Sequence, residues 1–176
     1  MLTISREVIV KIGKHAWAVY PLEAFGYLLG TMMDMRVYAV LPYSKTSQWD
    51  EYADRWLGIE EHLDQARAVG STFDLEVVGF YTSTETGAAG YPIPTAIMNA
   101  QRIVLIYGCL CCPSCSGIAI RHHDRWLRRG EGFTVSPGKR ISSGMNQKRV
   151  LKEWRKVHGP IDYSNGWVPG VTARRI

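Results

Sequence analysis

A chain of 176 residues that is 46% hydrophobic and 21% charged has the composition of one globular domain, which excludes a disordered, collagen-like or coiled-coil protein. No run approaches the ~18 uncharged apolar residues of a membrane span, and Arg6, Glu7, Lys11 and Lys14 break up any secretory leader, so a soluble cytoplasmic domain without a membrane partner is expected. The net charge of +5 is unevenly placed: residues 1–135 balance to −2, while residues 136–176 balance to +7.

In chain order, Ser5 is a plausible N-cap, with Val8, Ile9, Ile12, Ala16 and Val19 behind it at helical spacing, and Pro21 stops the helix. Ala24–Met33 and Arg36–Pro42 predict two strands of a hairpin turning near Asp34. After the polar stretch 43–55, Trp56, Ile59, Leu63 and Ala66 form one face of a second helix that Gly70 ends. Leu75–Tyr81 is β-branched and aromatic and reads as a central strand, followed by a Thr, Gly and Pro-rich loop from Thr82 to Pro94. A short helix is expected from Thr95 to Gln101, then strands over Arg102–Tyr107, Ser116–His122 and Phe133–Val135. The last helix spans Asn146–His158, with Val150, Trp154 and Val157 as a thin apolar stripe and Gly159–Pro160 as its stop. The sum is an α/β chain with a mixed sheet and helices on its faces. The charge break divides it into a body at 1–135 and a basic helix and tail at 136–176.

All four cysteines fall in one stretch, Cys109, Cys111, Cys112 and Cys115. In a reducing compartment this spacing points to metal or redox chemistry rather than to disulfides. Four thiolates satisfy zinc chemically, and His122 or His123 could join them, but ligands this close together wrap poorly into a tetrahedron. The alternative is a loop of small buried thiols.

Two segments resemble the JAMM/MPN family of metal-dependent isopeptidases. The first is His15-Ala-Trp-Ala-Val-Tyr-Pro21-Leu-Glu23-Ala-Phe-Gly26-Tyr-Leu-Leu-Gly30, similar to the family's Pro-x-Glu and the Gly-x-Leu-x-Gly strand after it. The second is Leu75-Glu-Val-Val-Gly79-Phe-Tyr, where the family has the strand leading to its metal. The resemblance implies a JAMM/MPN-like, cytidine-deaminase-like fold over residues 1–135. It also implies a zinc held by two histidines of a His-Ser/Thr-His-Pro turn and an aspartate, with the motif glutamate activating the zinc-bound water.

The positions of the zinc ligands have changed here. The turn reads Thr82-Ser83-Thr84-Glu85, and the aspartate position falls on Thr95 or, with a longer loop, on Met98. Residues 86–123 contain no Asp or Glu. Threonine hydroxyls are neutral, weak zinc ligands and methionine prefers softer metals, so no metal is expected at the JAMM position and zinc-dependent isopeptide hydrolysis is not expected. Glu23 stands where the family's general base stands.

The resemblance therefore implies first a metal-free scaffold or binding subunit. Its partner would be a second copy, an active JAMM homologue, or a ubiquitin-like or carrier protein. An enzyme of altered chemistry is the alternative, with Ser83 as a nucleophile near Glu23 or Glu85 as base, or with a metal at the cysteines. Against it stands the reading of Glu23 as a hydrogen-bond partner of the threonines, since a buried carboxylate needs such partners. Lys152, Trp154, Arg155 and Trp167 on the basic extension read as a docking surface for a protein and, less strongly, for nucleic acid.

Overall fold

Leu2 and Ile4 alternate with Thr3 and Ser5, a period of two that makes a strand before the first helix begins. The computed structural model describes residues 1–20, 23–43, 62–84, 103–108, 117–122, 125–137 and 147–159. Its strands are β1 (Leu2–Ser5), β2 (Phe25–Thr31), β3 (Arg36–Tyr43), β4 (Glu76–Ser83), β5 (Ile103–Gly108), β6 (Gly117–His122), β7 (Arg125–Leu127) and β8 (Phe133–Ser136). Its helices are α1 (Arg6–Val19), α2 (Leu63–Ser71) and α3 (Gln147–His158). The strands form one mixed sheet in the order β7-β6-β5-β4-β2-β3-β1-β8.

Helix α1 follows the expected spacing and buries Val8, Ile12, Ala16 and Val19. Each fully buried aliphatic side chain of this kind stabilises by about 1.5–3 kcal/mol. Ser5 occupies the N-cap position but makes no side-chain capping bond, because it also ends β1, in register with Ser136 of β8.

The hairpin forms as expected, β2 lying antiparallel to β3 with Met35 at φ 50° in the turn. The two motif glycines have separate reasons. A Cβ at Gly26 would run into the Leu41 carbonyl and the Tyr81 ring, and one at Gly30 into the Arg36 carbonyl, next to the register shift at Leu29/Gly30.

Strand β4 is central, antiparallel to β2 and parallel to β5. It runs two residues further than expected, so Thr82 and Ser83 are strand rather than loop. In α2, Gly70 lies inside the helix and is buried; the helix ends one residue later, where the Thr72 N–H bonds the Ala68 carbonyl. The expected beginning of that helix at Trp56 and the short helix at 95–101 lie outside the described residues.

The sheet has two packed faces. On one, α1 covers Leu28, Val40, Val78, Tyr81, Leu105 and Ile120. On the other, Ala66 and Val69 of α2 and Val150 and Trp154 of α3 cover Tyr27, Leu41, Phe80, Val104 and Ile106. One row across this second face reads Leu41, Tyr27, Phe80, Val104, Arg121, Trp126.

Helix α3 corrects the reading of Trp154 as an exposed docking aromatic. Val150 and Trp154 are fully buried, whereas Val157 is 50% exposed, so the apolar stripe is shorter than the sequence suggested. Strand β1 pairs with β3 at Arg36 and Val37, and among the described residues no strand neighbours the far half of β3 on that side. Side chains of α3 take that place. The Gln147 amide accepts from the Val40 N–H at 2.9 Å and donates to the Val40 carbonyl at 2.6 Å. The Trp154 indole N–H donates to the Pro42 carbonyl at 2.7 Å. Pro42 itself has no N–H to satisfy, as suits an edge. The basic helix thus packs as part of the second core, and the charge break at 135 does not separate it from the sheet.

Candidate functional site

The chain between α1 and β2 brings Glu23 to the end of β4. Glu23 is half-buried and immediately precedes Ala24. The Ala24 N–H donates to Ser83 Oγ at 2.7 Å, and the Ser83 N–H donates to the Ala24 carbonyl at 3.0 Å. Phe25 is in register with Thr82, Thr82 with Ile106, and the Thr84 N–H donates to the Tyr107 carbonyl at 3.0 Å. The structure therefore gathers Glu23, Thr82, Ser83 and Thr84 at one end of β2 and β4.

The alternation of β4 sorts these side chains by face. Thr82 shares its row with Phe25 and Ile106, on the side of α2 and α3. Ser83 and Tyr81 flank it on the opposite, α1 side. Thr82, Ser83 and Thr84 are all buried. Thr82 Oγ1 reaches only a marginal contact with the Ser83 carbonyl, at 3.4 Å. Ser83 is fully buried with its hydroxyl holding the Ala24 N–H, so this geometry ties two strand ends and lends no support to a nucleophile role.

On the α1 side, His15 is buried and its Nδ1 lies 2.7 Å from the Tyr81 hydroxyl, the rings meeting edge-on at 5.9 Å. Burial pushes its pKa down to about 3, so the imidazole is neutral at pH 7. It is a buried core histidine whose Nδ1 is engaged by the Tyr81 hydroxyl. His62 is half-buried at the start of α2, its Nδ1 3.1 Å from Gln65 Oε1.

Among the described residues the Glu23 end offers hydroxyls and one carboxylate, which falls short of the three His, Cys or carboxylate ligands of catalytic zinc. Among the described residues no three His, Cys, Asp or Glu side chains converge. Glu85, Thr95, Met98, Trp167 and the cysteines at 109, 111, 112 and 115 lie outside the described residues. Lys152 and Arg155 are exposed on the outer face of α3.

Two clusters escaped the sequence reading. Tyr43, His62 and His158 meet beside Trp154, where the His158 ring stacks on the indole at 4.4 Å. At the sheet edge the Arg121 guanidinium lies 5.7 Å from the centre of the Trp126 ring. Members of the first cluster come from three distant elements, so no local pattern announces it. The second had a signal in the arginines around Trp126.

No family model matches the chain, and no curated protein does. Among solved structures, the chain is similar to a protein from Desulfitobacterium hafniense at 15% identity. That match covers 78% of this chain and 94% of the other, with a TM-score of 0.51. A protein from Salinibacter ruber matches at 21% identity over 78% of this chain and 92% of its own, with a TM-score of 0.49. The first likeness shows a shared fold alone. No helix among the described residues is long and apolar enough to cross a membrane.

Proposed function

We propose that the chain is a JAMM/MPN-like module without the family's zinc centre, acting as a metal-free scaffold or binding subunit. It pairs with a second copy or an active homologue, or holds a ubiquitin-like or carrier protein. One observation carries this reading: Thr82 and Thr84, the residues at the family's histidine positions, stand with Glu23 at one strand end. The order of helix, Pro-x-Glu, hairpin, helix and central strand supports it as well. Hydroxyls do not lower the pKa of a bound water as a zinc ion does, so Glu23 there has no activated water to deprotonate. A fold kept without its ligands is used through its surfaces.

The test is the metal content and self-association of the full chain purified without a metal-affinity tag. The expected result is substoichiometric zinc together with a concentration-dependent dimer, or a stable complex with an active JAMM protein or a ubiquitin-like protein. Stoichiometric zinc that disappears in Cys112→Ser with Cys115→Ser would sink the metal-free reading.

A further inference from the structure

The β6–β7 hairpin lies two and three strands from β4, roughly 10–15 Å across the sheet, and carries a surface of a different kind. We propose that it docks an acidic segment of a partner protein, recognised by arginine forks around an exposed tryptophan. The inference goes beyond the proposed function, because it does not depend on the Glu23 end and it names a partner chemistry.

Several observations converge on it. Trp126 is 40% exposed at the last strand of the sheet. It is in register with Arg121, whose guanidinium lies within cation–π reach at 5.7 Å. Arg128 and Arg129 follow it closely in the chain and are exposed; Arg125, also exposed, alternates to the other face of the edge strand. Glu131 is the one carboxylate among the described residues from 117 to 137. This cluster sits in a body whose own balance is −2, so it is a local positive field rather than part of a general one.

The same residues favour a protein over nucleic acid. Tryptophan and arginine are the side chains most enriched at protein-binding hot spots. Residues 103–137 contain no lysine, although a surface tracking a phosphate backbone uses lysine as readily as arginine. The basic face of α3 is the contrast: it is rich in lysine, and its tryptophan is buried. Carboxylates suit the planar guanidinium fork. Recognition runs through side chains, because a three-residue edge strand carrying charges resists addition of another strand.

The experiment uses the full chain and two dye-labelled probes of equal length, an Asp/Glu-rich peptide containing leucines and an oligothymidylate, followed by fluorescence anisotropy. The peptide is expected to bind saturably. Arg128→Glu with Arg129→Glu is expected to weaken it by about tenfold or more, and Trp126→Ser by several-fold. Lys148→Glu with Lys156→Glu on α3, both exposed, makes the same change in net charge and is expected to leave binding unaltered. Thermal unfolding of each variant checks that it is folded. Three results would overturn the proposal: no saturable peptide binding, equal loss in both double variants, or tighter oligothymidylate binding through the same arginines.

Discussion

Ser83 does its work through one hydrogen bond, and its neighbour Thr82 through almost none. Ser83→Ala leaves the buried Ala24 N–H without its acceptor, and a loss of about 1–3 kcal/mol is expected in urea unfolding. Thr82→Val replaces a hydroxyl held only at 3.4 Å by a methyl group in an apolar row, and a change below about 1 kcal/mol is expected. A large loss at Thr82 and none at Ser83 would mean that the threonine, not the serine, organises this end. His15 supplies a pH dependence with a definite sign. Its folded pKa, about 3, lies below the unfolded value of 6.5. Unfolding therefore takes up a proton between those values. The histidine's contribution is complete above about pH 6.5 and is lost as pH falls towards 3, by up to about 1.4 kcal/mol per unit. His15→Gln, which keeps a hydrogen-bonding group for Tyr81, is expected to flatten the stability–pH curve between pH 6 and 4. A parallel curve would show that the acid limb comes from other groups.

At the scale of elements, α3 decides how the sheet ends. Gln147→Leu strips both hydrogen bonds from Val40, and a loss of about 2–4 kcal/mol is expected. Trp154→Phe keeps an aromatic ring in the core but orphans the Pro42 carbonyl, and about 1–3 kcal/mol is expected. A chain stopped after Pro137 would leave Tyr27, Leu41 and the outer half of β3 uncovered. Its unfolding is expected to lose cooperativity and it is expected to bind hydrophobic dyes; a cooperative transition like that of the whole chain would contradict the role given to α3. This role was not legible in the sequence because Trp154 meets Pro42 across 112 positions. The local pattern showed the helix and its charge, which belong to its outer face. The four residues of β1 were missed for the same reason, since pairing with β3 and β8 rather than length holds them.

Over the whole molecule, periodicity was enough for what local sequence controls. Apolar spacing gave α1, the β2–β3 hairpin, central β4 and the strands β5 and β6. Glu23 and Ser83 are brought together from 60 positions apart, a proximity that only the family motif suggested and that composition could not. Exposure was the weakest inference: Trp154, read as an exposed docking aromatic, is fully buried, while Trp126, which the sequence did not single out, is 40% exposed at the sheet edge. Among the described residues the basic side chains gather on the outer face of α3 and at the β6–β7 edge, both carried by packed elements.

The proposed function makes the Glu23 end a JAMM-like site that lacks its zinc ligands. It is tested most directly by restoring them: Thr82→His and Thr84→His, combined with either Thr95→Asp or Met98→Asp, in a background of Cys112→Ser and Cys115→Ser. Zinc binding is then compared with the same background lacking the restored ligands. One zinc per chain in a restored variant and none in the control is the expected result; restored chains that bind no more zinc than the control, though folded, would contradict it.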